Sequence, residues 1–329
     1  MKAVVLRSHG GTEVLSIEDV APPTPGADEV LVDVVATAMN RADLLQRMGL
    51  YPNPFPEELE IPGLEFSGVV RAVGAHVRRW KVGDHVMGIV AGGGHAEQLT
   101  IHERQAVRVP HGVALHDAAA IPEVFLTAWD ALVVQGGLAS GRWALVHAGA
   151  SGVGTAAIQL CKAIGAKVAV TCSTSKVESC RALGANLVVD YTTSNFVSAV
   201  AEATAGDGVD VVLDVIGGDY VERNVTCLRT KGRIIQVGTM AGKPVPFNVG
   251  TLLFKRASII GTVLRARPIE EKIAISQQFE AEVVPLFDSG ALRPVIHSRL
   301  PLSSIAEAHM LMESNANIGK IMLDVQSLI

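Results

Sequence analysis

The segment His147-Ala148-Gly149-Ala150-Ser151-Gly152-Val153-Gly154 offers two kinds of chemistry in one turn. Its glycines suit a loop that cradles phosphate, which needs a tight turn, close backbone approach and helix N–H groups aimed at the ligand. Ser151, however, stands where G-x-G-x-x-G has its middle glycine, a setting that also suggests a hydrolase nucleophile. A nucleophile elbow requires G-x-S-x-G, and the position after Gly152 is Val153. A nucleophilic serine also needs an acid and a histidine further on, where only His297 and His309 are available. The loop therefore reads as dinucleotide-binding, with Gly149 serving the turn. Gly152 and Gly154, flanking Val153, allow close approach and helix–strand packing, and the Ser151 hydroxyl donates to a phosphate oxygen. The alternative is a glycine-rich turn that binds nothing; the strand–helix alternation around it argues for the ligand.

The next strand decides between cofactors. NAD-binding domains place Asp or Glu at its end, about twenty residues on, to hold the ribose 2′-OH. Here the strand runs into Thr171-Cys172-Ser173-Thr174-Ser175-Lys176, with no acid before Glu178. The hydroxyls of Ser173 and Thr174 and the Lys176 cation suit a 2′-phosphate, which a carboxylate would repel. Tyr191, after the third strand, can stack or donate from the other side. Lys176 read alone is better explained by a solvated helix start; the missing acid turns the expectation to NADPH.

These residues need a particular frame. From Gly141 onward WALVHA, KVAVTC, NLVVD, VDVVLDV, GRIIQVG and SIIGTV read as strands. GTAAIQLCKAIG, SKVESCRALG, SNFVSAVAEATAG and DYVERNVTCLRTKG read as the helices between them, with Gly165 and Gly184 as left-handed caps. Strands joined by crossovers make a doubly wound parallel sheet, an α/β fold. The first third is β-rich, in short runs such as KAVVLRS, EVLVDVVATAM, SGVVRAVG, GDHVMGIV and HAEQLTI. YPNPFPEELEIPG is a proline-broken loop. Beyond Val263 a helical EEKIAISQQFEAEVVPLFDSG and a final GKIMLDV strand return to complete the first domain.

Composition agrees and excludes other classes. Hydrophobic residues make up 49% of the 329 but aromatics only 4%, so the core is built of Val, Ala, Leu and Ile, as buried parallel strands require. A net charge of −5 without clustered Lys and Arg argues against nucleic acid and anionic membranes. No apolar run is long enough to span a bilayer, and MKAVVLRSHG begins a strand rather than a signal peptide. Cys161, Cys172, Cys180 and Cys227 lie apart, without C-x-x-C, as small buried hydrophobes of a reducing compartment. A soluble cytoplasmic enzyme is expected.

GRWALVHAGASGVGTAAIQLCK resembles the signature segment of the zeta-crystallin-like quinone oxidoreductases, in the medium-chain dehydrogenase/reductase superfamily. The resemblance extends over nearly the whole chain, through MNRADLLQRMGLYP, IPGLEFSGVV, AAAIPEVFLTAW, LDVIGG, LLFKRASIIGTVLRAR and NIGKIMLDV. These blocks look most like the tumour-suppressor-inducible branch. Arg142 and Ser151 depart from the commonest pattern, which has an acidic or amide residue and a glycine there. The resemblance implies a Rossmann domain (122–263) inserted in a GroES-like catalytic domain formed by 1–121 and 264–329. It further implies a homodimer joined edge to edge through the SIIGTV region.

Alcohol dehydrogenases of the same superfamily hold a catalytic zinc through a Cys in the segment that here reads Ala38-Met39-Asn40-Arg41, and a His before Glu65. This chain has Asn40 and Leu64, which cannot replace thiolate and imidazole. The four-cysteine lobe of a structural zinc is missing too, since no cysteine precedes Cys161. His95, His102, His111 and His116 lack helical metal-ligand spacing and read as surface or satisfied loop histidines. No metal is expected.

The resemblance then implies hydride transfer from NADPH to a quinone, an ortho-quinone among the options, with the protein supplying orientation and water exclusion. Asn40 and Tyr51 correspond to positions near the nicotinamide. A Tyr51 phenol could stack on a quinone or donate to the developing oxyanion, or simply anchor its loop; Asn40 could equally cap the helix RADLLQRMG. Thr127, Gly217, Gly238, Met240, Phe254, Val263 and Leu264 fall where family members contact cofactor, with Asn317 and Lys320 near the adenosine phosphate. The alternatives are a 2-enoyl-thioester or enone reductase, and an NADPH-binding protein of structural or regulatory duty with residual turnover.

Overall fold

The structure, a computed structural model, describes residues 1–54 and 59–325. Part of the proline-broken loop, 55–58, lies outside the described residues. The chain divides into two compact units, Thr127–Val263 and Met1–Leu126 with Leu264–Ile329. The first division falls inside a helix, after Leu126 rather than after Ile121.

The opening stretch pairs β1 (Lys2–Leu6) with β2 (Leu15–Asp19) as an antiparallel ribbon. There follow β3 (Glu29–Ala38), helix α1 (Arg41–Arg47), β4 (Glu65–Val73), β5 (His85–Ile89), β6 (Gln98–His102) and β7 (Val107–Arg108). Helices α2 (Leu115–Ala118) and α3 (Pro122–Trp129) close this part.

The second unit continues α3 as a π-helical turn, Asp130–Gln135, and then alternates strand and helix. Its elements are β8 (Trp143–Val146), α4 (Gly152–Ala163), β9 (Lys167–Cys172), α5 (Val177–Leu183) and β10 (Leu187–Asp190). α6 (Phe196–Ala203), β11 (Val209–Asp214), α7 (Tyr220–Cys227), β12 (Leu228–Gln236), α8 (Gly250–Lys255) and β13 (Ser258–Gly261) complete it. The strands form one parallel sheet in the order β10-β9-β8-β11-β12-β13. The order reverses between β8 and β11, and in open α/β sheets ligands bind outside the carboxyl ends of the strands at that point. Burial of both faces explains the unbroken apolar runs: Ala144, Leu145 and Val146 of β8 are wholly inside. Gly165 and Gly184 take φ of +75° and +104°, as helix-terminating glycines should.

One helix is shorter than its sequence suggests. DYVERNVTCLRTKG is helical only to Cys227, because buried Leu228 already pairs with Val209 of β11. The register slips before Arg233, so the polar Arg229–Gly232 segment bulges out of the ladder, with Lys231 at φ +64°.

The remainder of the chain returns to the first unit as α9 (Ile269–Glu282), α10 (Val284–Asp288), β14 (Ile296–Pro301), α11 (Ile305–Glu313) and β15 (Lys320–Asp324). β15 lies antiparallel to β3, with Met322 opposite Ala38, so that sheet runs β14-β15-β3-β4-β5-β7, with β6 also on β3. Val30, Val32 and Phe66 pack with Ile321 and Leu323 in one core, which is why the chain end belongs here. The β2, β14 and α11 segments carry no sequence signal that marked them in advance. All four cysteines are buried, and among the described residues no helix is long and apolar enough to cross a membrane.

Candidate active site

In the second unit the glycine loop leaves the carboxyl end of β8. Ser151 is the N-cap of α4: its Oγ accepts from the Gly154 N–H at 3.0 Å, and its own proton remains to donate outward. Gly154 must be glycine because a Cβ there would lie 2.3 Å from Ala148 O, against the loop itself. Gly149 is needed for a different reason from the turn expected of it. A Cβ on it would meet Val170 Cβ at 2.6 Å, so it lets the loop lie on β9. The left-handed residue of the turn is Ala148, at φ +56°. Beneath the loop His147 is fully buried, bridging Thr171 Oγ1 (2.9 Å) and Asn224 Oδ1 (2.7 Å), and burial holds its pKa down. Asn224 in turn donates to Asp214 Oδ2. These bonds tie β8, β9, β11 and α7 together under the loop, which leaves the first turn of α4 as a rigid cradle of N–H groups for an anion.

Neighbouring strands bring the other nucleotide candidates to the same sheet edge. Ser173 and Thr174 follow β9, and Ser173 caps a single 3-10 turn that ends at Lys176. Gly217 follows β11, its N–H held by Asp214 Oδ1 at 3.0 Å. Gly238 and Met240 follow β12, where Gly238 O accepts from the Gln236 side chain and Met240 is half exposed. Thr127 is buried on α3, and Val263 is partly exposed at the end of the unit. Tyr191, half exposed, begins the loop after β10. An acid is nevertheless close to this edge. Asp190, opposite Cys172 in the β10–β9 ladder, binds the hydroxyls of Thr174 and Thr192 and the Thr192 N–H, which lower its pKa. Scanning β9 alone could not find it, because the acid comes from the next strand.

Phe254 does not join this group. The adjacent Lys255 reaches Thr226 O and Leu228 O, at the amino end of β12, and β13 starts just beyond. Phe254 therefore sits at the opposite end of the parallel sheet, 91% exposed.

The first unit holds a second set of polar groups. Lys320 corrects its expected place beside a phosphate. Its ammonium is buried and donates to Met39 O (2.6 Å), Asn40 Oδ1 (2.7 Å) and Glu65 Oε1 (2.7 Å), which uses all three protons. Asn317 is also buried, with its amide nitrogen on Gly319 O at 2.8 Å, and so pins a turn. Leu264 is buried in this unit. Asn40 occupies the N-cap position of α1, its N–H on Asp43 Oδ2, while its side-chain nitrogen donates to Glu65 Oε1 at 2.9 Å. Glu65 opens β4 with no exposed surface, and its Oε2 accepts the Glu123 N–H at 2.8 Å.

Around this pinned carboxylate lie two groups that sequence reasoning did not single out, Glu123 and Arg265. Glu123, in the first turn of α3, is pushed up to about 8 by burial first and by the Glu65 charge second. Arg265 lies over the Tyr51 ring, 5.1 Å from its centroid. It donates to Ala91 O and Tyr51 O, while its Nη2 is buried without a partner among the described residues. Tyr51 is held protonated by burial and then by Glu123. His95 was expected at the surface or satisfied in a loop. It is fully buried rather than at the surface, with the Ala38 backbone as a hydrogen-bond partner, and burial lowers its pKa. The signal available in the sequence was a lone charge inside an apolar run: Glu65 in IPGLEF, Glu123 in AAAIPEVF and Lys320 in NIGKIML.

Zinc does not fit here. Leu64 is alkyl, and the Lys320 cation sits between Asn40 and Glu65, where it would repel a second cation. A pyridine dinucleotide does fit the cradle of the second unit, where glycines keep the backbone open and the helix start faces outward.

Comparisons with known proteins match both the amino-terminal part and the middle of the chain. The family model for zinc-binding dehydrogenases matches residues 152–284, and that for the GroES-like domain of alcohol dehydrogenases matches 26–111. A quinone oxidoreductase of Lama guanicoe is 32% identical over 98% of this chain and 97% of its own length. The crystal structure of Escherichia coli quinone oxidoreductase complexed with NADPH superposes with a TM-score of 0.88 at 30% identity, covering 99% of this chain and 100% of that one. The JamJ enoyl reductase (apo form) gives 0.86 at 27% identity, covering 98% and 99%. The chain belongs to the medium-chain dehydrogenase/reductase superfamily of oxidoreductases, with quinone oxidoreductases among its full-length relatives.

Proposed function

We propose that the protein is a zinc-independent quinone reductase that uses NADPH. The observation that carries the reading is the Ser151-capped cradle at the switch point of the parallel sheet, with Ser173, Thr174 and Lys176 beside it at the end of β9. The cofactor supplies hydride. The chain binds it through the loop at Gly149, Ser151, Gly152, Val153 and Gly154, with Gly217, Gly238 and Met240 as further wall. Ser173, Thr174 and Lys176 recognise the 2′-phosphate, and Tyr191 flanks them. In the first unit Asn40 and Tyr51 position the acceptor, and the Arg265 guanidinium favours negative charge developing on its oxygen. A quinone accepts hydride readily, so orientation and exclusion of water are the main demands on the protein. The outer edge of β13 is unpaired among the described residues and supports pairing with a second copy.

The similarity to an enoyl reductase keeps a second reading in view, reduction of an enone or enoyl thioester on the same scaffold. Oxidation of NADPH with a panel of ortho-quinones, para-quinones and enoyl thioesters separates the two. Turnover is expected with quinones. Tight NADPH binding with no turnover on any acceptor would leave a binding protein of structural or regulatory duty.

A further inference from the structure

The buried polar cluster of the first unit contains two carboxyl groups with different surroundings. Glu65 receives three hydrogen bonds, from Lys320 Nζ, Asn40 Nδ2 and the Glu123 N–H. Glu123 contributes its backbone N–H to that set, and part of its surface stays open. Lys320 cannot neutralise it, because all three ammonium protons are committed elsewhere. The charged groups around Glu123 are Glu65 on β4 and Asp43 on α1, both repelling its charge, with Lys320 on β15 and Arg265 opposing them. Burial and like charge prevail over the two cations, so the carboxyl keeps its proton at neutral pH.

A second, independent feature marks the same place as one that receives negative charge. Arg265 is 5% exposed, and among the described residues its Nη2 has no partner although Nε and Nη1 are both bonded. A buried cationic donor without an acceptor is costly unless an acceptor arrives. Tyr51 lies beneath that guanidinium and beside Glu123.

We infer that Glu123 is the catalytic acid of the reduction, giving its proton to the acceptor's carbonyl oxygen while Arg265 Nη2 stabilises the charge that develops there. This rests on the reductase reading above. A bound nicotinamide would supply the hydride, with its two electrons, that the acceptor gains; the chain's own contribution is the proton. The Glu123 O–H bond breaks as the acceptor O–H bond forms, and solvent returns a proton to the Glu123 carboxylate. A carboxyl group kept protonated at neutral pH is a recurring device for this work.

The test uses the full chain and two readouts. Infrared titration of the ligand-free protein should show the carbonyl stretch of a protonated carboxyl group at neutral pH. That band should disappear with a midpoint of about 8 and be missing from Glu123→Gln. In turnover with an enone acceptor, which needs its proton more than a quinone does, Glu123→Gln should slow kcat by roughly 100-fold and abolish the fall at alkaline pH. Glu123→Asp should recover part of the rate, which a merely structural carboxyl would not do. Absence of the band, or unchanged rate and pH profile in Glu123→Gln while wild type turns over its acceptors, overturns the inference and leaves the reductase reading standing. Failure of wild type to reduce any acceptor overturns both.

Discussion

Lys320 Nζ lies 2.7 Å from Glu65 Oε1, with side chains 3% and 0% exposed, in the cluster that also holds Asn40. Removing one partner of such a pair strands the other charge in the interior. Lys320→Met should therefore cost roughly 3–5 kcal/mol at neutral pH, read from urea unfolding. Lys320→Met combined with Glu65→Gln should recover most of the loss, because no buried charge is left alone. A single-variant cost below about 1 kcal/mol would mean that water reaches the pair.

The glycine loop stores strain at one position and relieves it at another. Ala148 is left-handed at φ +56°, where an L-residue loses roughly 1–2 kcal/mol. Ala148→Gly should raise stability, by about 1 kcal/mol or less once the looser unfolded chain is counted. Ser151→Ala should lower it by about 1 kcal/mol, since the Gly154 N–H loses its cap. Thermal melts of the two variants test both signs, and a stabilising Ser151→Ala would remove the capping role.

The parallel sheet was legible because strands buried on both faces read as apolar runs, and alternation with helices leaves few topologies. The loop was legible as a motif, although the reason Gly149 is glycine lies in Val170 of β9, a contact invisible to spacing. The cluster in the first unit was less so. Asn40, Tyr51, Glu65, Glu123, Arg265 and Lys320 come from separate segments, and only folding shows that Lys320 serves Glu65 rather than a phosphate. The same limit applies to Asp190, which β10 lends to the end of β9. His95 escaped because its spacing was weighed only for metal, and the burial of a loop histidine has no sequence pattern.

Burial pushes His309 down to about 3 and also lowers His95. In the unfolded chain each histidine binds a proton near pH 6.5; the fold resists protonation of both, and of His309 down to about 3. Stability is therefore lost as pH falls below about 6.5, with a slope of up to ~1.4 kcal/mol per pH unit for each histidine. Urea midpoints at pH 7, about 6 and about 5 should decline less steeply in His309→Gln than in wild type. Equal slopes would show that His309 is protonated in the fold.

Glu123 acts in the opposite direction. Its folded pKa, about 8, lies above the ordinary 4.5, so between these values the unfolded chain releases a proton that the fold retains. Stability contributed by this group is full at low pH and declines as pH rises to about 8. The melting temperature of Glu123→Gln relative to wild type should therefore climb through that window and level off above it. A constant difference would place the Glu123 carboxyl in ordinary solvent.

The proposed preference for NADPH can be tested at two neighbouring strand ends, at Lys176 after β9 and Asp190 at the end of β10. A cation at a 2′-phosphate makes a charge-assisted contact, so Lys176→Ala should weaken NADPH by roughly 1–3 kcal/mol and leave NADH unchanged in calorimetric titration. Asp190 is occupied by Thr174 and Thr192, and Asp190→Asn should free the Thr174 hydroxyl and lower the repulsion felt by a phosphate. NADPH should then bind as well or better. Equal weakening of both cofactors in Lys176→Ala would remove Lys176 from phosphate recognition. Selective loss of NADH in Asp190→Asn would instead assign that carboxylate to the ribose hydroxyls, and the cofactor preference would reverse.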